Sequence, residues 1–150
     1  MLKNKTILIT GAASGLGKAW SKKFSDEGAK VFACDINEEG LNELKDYETH
    51  TQVIDVSKPE HVQDFIESAH TKSGRVDVLF NNAGMGFGHK VDSFPDGSFE
   101  HHVAVHLFGT VYGMRICTSF NATTRIRQNY KYHIQECRNQ CRKNFCLRSR

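Results

Sequence analysis

The chain has 150 residues, the length of one domain, and 20 Lys and Arg against 17 Asp and Glu give it a formal net charge of +3. Hydrophobic residues make up 39% and charged residues 25%, which excludes a disordered or collagen-like chain. Apolar runs are too short for a membrane helix or a signal peptide and the five Cys are scattered, so we expect a cytoplasmic protein without a disulfide framework.

Charge is divided unevenly along the chain. Residues 1–120 contain 12 basic and 16 acidic residues, whereas residues 121–150 contain eight basic residues and one acidic residue. All 12 Gly lie before position 120, and the regular spacing of apolar residues ends there as well. We therefore predict a domain at 1–120 and an irregular basic tail at 121–150.

Short apolar runs alternate with helical stripes over the first 120 residues, which predicts βαβ units around a parallel sheet. The predicted strands are Thr6–Thr10, Val31–Asp35, Gln52–Asp55 and Val76–Phe80. We expect the strand order 3-2-1-4 of a doubly wound Rossmann-like α/β sheet, incomplete at about four strands. The last strand is then an open apolar edge, from which we expect self-association.

Helices are predicted between these strands. The first ends near Gly28, and its inward stripe is Leu16, Ala19, Trp20 and Phe24. A second begins at Asn37. In the third, Ser57 and Glu60 have capping-box spacing around Pro59, and the inward stripe is Val62, Phe65, Ile66 and Ala69. A last amphipathic stretch runs from about Phe99 to Phe120, after the polar loop Asn81–Gly88.

A glycine-rich segment, Thr10–Gly17 (TGAASGLG), lies between the first strand and the first helix. Glycines there let backbone N–H groups approach a pyrophosphate, and the helix N-terminus adds partial positive charge. Asp35 ends the second strand, where a carboxylate can accept hydrogen bonds from an adenosine ribose. Together these features predict a dinucleotide site; the alternative is a glycine-rich turn with no ligand.

Thr10–Gly17, Asp35, Asp55-Val56 and Asn81–Gly84, in this order and spacing, resemble the short-chain dehydrogenases/reductases over about residues 3–120. The resemblance implies NAD(P)-dependent hydride transfer between a small alcohol and its carbonyl compound, in a homo-oligomer. It also implies a set of cofactor-binding residues, namely Gly11, Ser14, Gly15, Leu16, Gly17, Asp35, Asp55, Val56, Asn82, Ala83 and Gly84.

The residues around Asp35 favour NAD over NADP. A 2′-phosphate would face the Asp35 carboxylate, and Ser14, Ile36 and Asn37 supply no Arg or Lys to neutralise it. Lys18, in the first helical turn, is the remaining candidate for a phosphate contact.

The catalytic residues of the family are not found. Its base is a Tyr with a Lys four residues later, but the tyrosines at 47, 112, 130 and 132 are followed there by Thr51, Ile116, Ile134 and Glu136. No catalytic Tyr, Lys or Ser can be assigned, so we expect the chain as written to be catalytically incompetent. His106 matches the family's catalytic Asn; the alternative is a packed helical His on the stripe of Phe99 and Val103.

The tail allows two binding hypotheses, both of which the sequence disfavours. His133, Cys137 and Cys141 share helical spacing, but a zinc site needs four placed ligands, so we predict no metal. Eight basic residues could attract nucleic acid, yet no recognised nucleic-acid-binding motif accompanies them. Two further alternatives to an enzyme stay open: a non-catalytic dinucleotide-binding or partner-binding module, and a non-functional gene fragment.

A shifted reading frame is a further hypothesis for the break near residue 120. Reading the codons from Asn121 onward one base later permits Gly-Lys-Ile-Ile-Asn-Ile-Ile-Ser at codons 127–134. This segment resembles the fifth strand of the short-chain dehydrogenases, which ends at the catalytic Ser. On this hypothesis the tail is a frameshift product, and the nucleotide sequence around codon 121 decides the matter.

Overall fold

The computed structural model describes residues 2–86, 88 and 91–123. Four parallel strands form one sheet in the order β3-β2-β1-β4, which confirms the predicted order. The strands are β1 (Thr6–Thr10), β2 (Lys30–Asp35), β3 (Thr49–Val53) and β4 (Val78–Phe80). The helices are α1 (Gly15–Asp26), α2 (Glu38–Asn42), α3 (Pro59–Ser73), α4 (Ser98–Val103) and α5 (Gly109–Thr123).

Helices cover both faces of the sheet, as a doubly wound fold requires. All five residues of β1 are buried, and its three apolar side chains alternate between two hydrophobic clusters. Leu8 packs in a cluster with residues of α3 and α5, whereas Ile7 and Ile9 pack in a cluster that includes Leu41 of α2 and contacts Trp20 of α1. A central parallel strand buried on both faces explains the uninterrupted apolar sequence of β1.

Helix α1 has a different buried face from the predicted one. Leu16 is 49% exposed and Ala19 is also exposed, whereas the buried positions are Gly17 and Ser21. The predicted stripe is therefore wrong at its first two residues. The reason is a close approach of the helix to the glycine-rich loop, because a Cβ atom on Gly17 would lie 2.1 Å from the carbonyl oxygen of Gly11.

Strand β3 begins and ends earlier than the predicted Gln52–Asp55. It is an edge strand that pairs with β2, so polar and half-exposed side chains suffice, while the apolar Ile54 lies after it in the core. The predicted capping box is also wrong: Lys58 occupies the N-cap without a side-chain hydrogen bond, and Ser57 bonds Asp55 instead. The predicted buried stripe of α3, Val62, Phe65, Ile66 and Ala69, is confirmed.

The segment predicted as one amphipathic helix contains a π-helical turn, Ala104–Phe108, between α4 and α5. Phe99 is 62% exposed, so the predicted packed stripe does not form around it. Helix α5 extends to Thr123, past the predicted start of the tail at 121. His133, Cys137, Cys141 and the rest of 124–150 lie outside the described residues.

Candidate functional site

A cavity of about 430 Å³ opens at the carboxyl ends of the strands. This is the edge at which open parallel sheets bind ligands, and the volume suits a small organic ligand. Every predicted site residue except Gly17 lines it: Gly11, Ser14, Gly15, Leu16, Asp35, Asp55, Val56, Asn82, Ala83, Gly84 and His106. The sequence reasoning missed five lining residues, namely Ile36, Ile54, Met85, His101 and Val105.

The glycine-rich loop forms part of the cavity wall through Gly11, Ser14, Gly15 and Leu16. Gly11 has a φ angle of +68°, and a Cβ atom there would lie 2.7 Å from the Cα of Ala83. A Cβ on Gly15, whose φ is +51°, would meet open space. Ser14 caps α1 without a side-chain hydrogen bond, and the first turn carries no acidic residue. The N–H groups at this helix end therefore favour an anionic ligand.

Asp35 joins the loop to the start of α2. Its Oδ2 accepts a hydrogen bond from the Ala13 N–H at 3.0 Å, and its Oδ1 accepts one from the Asn37 N–H at 3.0 Å. A carboxylate oxygen has two lone pairs, so each can accept a second bond from a ligand hydroxyl. The arrangement holds the carboxylate in place for that role.

Lys18, the remaining basic candidate near Asp35, is paired with Glu43 at 2.5 Å. The hydrogen bond and the positive charge of Lys18 lower the pKa of Glu43 below its usual value. The Lys18 ammonium thus already has an anionic partner on the protein, which weakens the case for a 2′-phosphate contact there.

Thr10 and Asn82 connect the two loops that border the cavity. The Thr10 hydroxyl accepts hydrogen bonds from the N–H groups of Asn82 and Ala83, both at 3.0 Å. In return, the Asn82 amide nitrogen donates to the carbonyl oxygens of Thr10 and Gly11, both at 3.1 Å. These bonds fix the glycine-rich loop to the Asn81–Gly84 segment at the end of β4.

Asp55 lies on the cavity wall just after β3. Partial burial raises the pKa of its carboxyl, but two hydrogen bonds from Ser57, at 2.7 and 2.9 Å, and the charges of Lys58 and His101 outweigh burial. The net effect is a pKa below the usual value for Asp. Asp55 is therefore a carboxylate at neutral pH and can accept hydrogen bonds from a ligand.

His106 lies in the π-helical turn, exposed to solvent, against the Gly84–Met85 segment. Its Nε2 is 3.1 Å from the Met85 nitrogen and 2.8 Å from the Met85 carbonyl oxygen. Because its side chain is exposed and contacts Met85, His106 is not packed on the Phe99 side of the helix, which was the alternative for this residue. Two further lining residues belong to the same helical segment: Val105 directly precedes His106, and His101 lies five residues before it.

The described part of the chain offers little support for metal or thiol chemistry. No group of three or more His, Cys, Asp or Glu within residues 2–86, 88 and 91–123 is arranged to hold a metal ion. Burial raises the pKa of the Cys34 thiol well above its usual value and that of Cys117 to about 12, so neither is a thiolate at neutral pH. Within the same ranges no helix is both long and apolar enough to span a membrane.

A model of the short chain dehydrogenase family matches residues 5–124. The chain belongs to this family. An uncharacterized oxidoreductase of Bacillus subtilis is 39% identical over 116 residues, which are 73% of this chain and 42% of that protein. The chain therefore spans about two fifths of the length of this curated relative.

Solved structures of the family share the fold. The 3-ketoacyl-(acyl-carrier-protein) reductase of Brucella melitensis, complexed with NADH, has 29% identity and a TM-score of 0.79, with 88% of this chain and 57% of that chain covered. A short-chain dehydrogenase/reductase from Burkholderia phymatum, in complex with NAD, has 27% identity and a TM-score of 0.80, with 87% of this chain and 49% of that chain covered. These likenesses confirm the Rossmann-like fold.

Proposed function

We propose that this chain binds NAD, in preference to NADP, through the cavity at the carboxyl ends of the strands. The observation that carries the proposal is the placement of Asp35, whose carboxylate is held by Ala13 and Asn37 beside the glycine-rich loop. The loop can receive the pyrophosphate and Asp35 the ribose hydroxyls, while a 2′-phosphate would meet the same carboxylate. Relatives of known structure with NADH or NAD support this assignment.

The residues present fit the adenosine end of such a ligand. A side chain at Gly15 would point into open space, so the glycine leaves room there for a ligand. The first turn of α1 contains no acidic residue that would repel a phosphate group at the helix N-terminus. Ile54, Val56 and Val105 supply apolar cavity wall near Asp55, which suits the base of a nucleotide. When bound, the nicotinamide ring supplies or accepts the hydride in the oxidoreductase chemistry of the family.

The affinity for NAD and NADP, measured by calorimetric titration of the purified 150-residue chain, tests this proposal. We expect weak binding that the adenosine end dominates, with AMP competing about as well as NAD. Equal affinity for NAD and NADP would show that the cavity does not prefer NAD. If AMP does not compete with NAD, the proposal that the adenosine end dominates binding is wrong.

We further propose that the chain as written binds cofactor without turnover of an alcohol or carbonyl substrate. No Tyr of the sequence has a Lys four residues later, so the proton transfer that accompanies hydride transfer lacks its residues. Positioning of the nucleotide alone does not stabilise the transition state. A cytoplasmic location and self-association of the chain are part of the same proposal.

NADH absorbance in the presence of NAD and a panel of small alcohols and hydroxysteroids measures turnover. We expect no NADH formation above background. Steady NADH production that disappears in Gly15→Asp, a change that places a carboxylate in the glycine-rich loop, would show that the chain is an enzyme.

A further inference from the structure

His101 is a polar side chain on the cavity wall that the fold itself does not use. It lies in α4, where its backbone N–H donates to the Gly97 carbonyl oxygen at 3.0 Å, and its side chain is exposed and lines the cavity. The rings of His102 and His106 each have a nitrogen close to a backbone oxygen, at 2.9 and 2.8 Å. Within residues 2–86, 88 and 91–123, no hydrogen bond involves the His101 ring. Its nitrogens are therefore available to a ligand.

His101 lies on the part of the cavity wall that also contains Asp55. Partial burial raises the pKa of the Asp55 carboxyl, but the positive charge of His101 is among the causes that lower it, so the two side chains are close enough to interact. The start of α5 packs on the same part of the wall, because a Cβ atom on Gly109 would lie 3.1 Å from Cγ2 of Val56. The helical segment thus keeps His101 near Asp55.

Asp55 has one carboxylate oxygen left for a ligand. The Ser57 N–H and hydroxyl both donate to Oδ1, at 2.9 and 2.7 Å. Among the residues that the structure describes, no donor reaches Oδ2. Around this oxygen and the His101 imidazole, Val56 and Val105 supply apolar wall. A flat heterocycle with an amino group and ring nitrogens matches this combination, because its faces are apolar while its edge carries both donors and acceptors.

We propose that His101 is a base-binding residue of the cavity, whose ring N–H donates to a nitrogen of adenine while the Asp55 carboxylate accepts from the adenine amino group. This inference deepens the proposed function and rests on it, because it assigns the base of the adenosine end to the wall formed by Asp55 and His101. The new contact comes from α4, a helix outside the motifs that predicted the site. The base then adds to the affinity that the ribose and phosphate groups provide.

NMR titration of the full 150-residue chain with AMP and with ribose 5-phosphate tests the inference, since these two probes share the sugar and phosphate and differ in the base. His101→Leu removes both ring nitrogens, and we expect it to bind AMP roughly three- to tenfold more weakly, the range of one lost hydrogen bond. Its affinity for ribose 5-phosphate should stay the same. His101→Gln retains an N–H donor, and we expect it to bind AMP within about twofold of the natural chain.

Phe99→Leu is the matched control on the same helix, because Phe99 is 62% exposed and does not line the cavity. We expect this variant to bind both probes as the natural chain does. The amides of Ile7, Leu8 and Ile9 in β1 report in the same spectra whether each variant is folded.

Three results would overturn the inference: equal AMP affinity in His101→Leu and the natural chain, a parallel loss of affinity for both probes, or failure of His101→Gln to restore AMP binding. A natural chain that binds neither probe contradicts the proposed function, and the inference falls with it. A natural chain that binds AMP equally well with any residue at position 101 contradicts the inference alone.

Discussion

Side-chain hydrogen bonds tie β1 to the β4 region at both ends of the strand. At the carboxyl end, the Thr10 hydroxyl accepts from the Asn82 and Ala83 N–H groups. At the amino end, the buried Asp77 carboxylate accepts from the Thr6 N–H at 2.9 Å and pairs with Lys5 at 3.1 Å and with Arg75 at 2.5 Å.

The two ends of β1 differ in the hydrogen-bonding groups that remain available to a ligand. At the amino end the carboxylate is surrounded by its own donors and two cations, and the cavity lies elsewhere. At the carboxyl end the connecting groups are neutral, while Asp35 retains lone pairs and the glycine-rich loop retains N–H groups beside the cavity. Changes at the amino end should therefore alter folding stability alone, whereas changes at the carboxyl end should alter ligand binding as well.

The largest effect is expected from Gly17→Ala, at the carboxyl end. A Cβ atom there would lie 2.1 Å from the Gly11 oxygen and 2.7 Å from the Asn82 amide nitrogen, and the first of these atoms is backbone that must move. We expect a loss of about 3 kcal/mol of unfolding free energy, the upper part of the range for overpacking, and loss of NAD binding. Urea unfolding and NAD titration measure the two effects.

Gly74→Ala is the control for this substitution. Gly74 ends α3 with a φ of +74°, and a Cβ there would meet open space, so only backbone strain of about 1–2 kcal/mol is expected. If Gly17→Ala were no more destabilising than Gly74→Ala, the close approach of α1 to the glycine-rich loop would be wrong.

Asp35→Ala should weaken NAD binding by on the order of 1.5–3 kcal/mol, because hydrogen bonds from ribose hydroxyls to a charged acceptor are lost. The same substitution should narrow the difference between NAD and NADP, since the carboxylate that opposes a 2′-phosphate is gone. Calorimetric titration with both cofactors provides the measurement. Unaltered NAD affinity in Asp35→Ala would show that Asp35 lies outside the binding site.

Asp77→Asn tests the amino end. It keeps a side-chain oxygen for the Thr6 N–H but removes the charge that faces Lys5 and Arg75. These cations are 45% and 37% exposed, so solvent screens them and we expect a loss of only roughly 1–2 kcal/mol of unfolding free energy. NAD affinity should not change. If Asp77→Asn decreased NAD affinity as much as Asp35→Ala does, the claim that the amino end of β1 affects folding stability alone would be wrong.

Much of the carboxyl end could be predicted from the sequence. The sequence predicts β1 at its observed bounds, and it predicts that Asp35, Asp55 and Asn82 follow strand ends, which meet at one edge of the sheet. Loops that follow parallel strands converge there, so motif positions alone suffice to bring such residues together. Ile36, Ile54 and Met85 stand next to motif residues, and this adjacency was a usable signal.

The remaining errors concern contacts that no local pattern encodes. The buried face of α1 is set by the approach of Gly17 to Gly11, which periodicity does not report because glycine counts as neither apolar nor polar. His101 lines the cavity from α4, far along the chain from the motif residues, so no local pattern marks it. The capping box failed because Ser57 has a nearer acceptor in Asp55, a competition that residue spacing cannot resolve.

The smallest expected effect is the pH dependence of the stabilisation that Asp77 provides at the amino end of β1. Burial raises the pKa of Asp77, but the Thr6 N–H, Arg75 and Lys5 outweigh burial and hold the pKa below its usual value. A carboxyl whose pKa is lower in the folded state stabilises the fold fully above its unfolded pKa of about 3.9, and this stabilisation is lost as the pH falls through the folded pKa.

The difference in unfolding free energy between the natural chain and Asp77→Asn should therefore have its full value at pH 6–7 and become smaller below about pH 4. Asp55, whose pKa is also lowered, contributes in the same direction to both proteins and cancels in the difference. Urea unfolding of both proteins at pH 7 and at pH 3 measures the change. A difference that grows on acidification would mean that the folded protein favours the protonated form of Asp77, so that the donors and cations at the amino end do not stabilise its carboxylate.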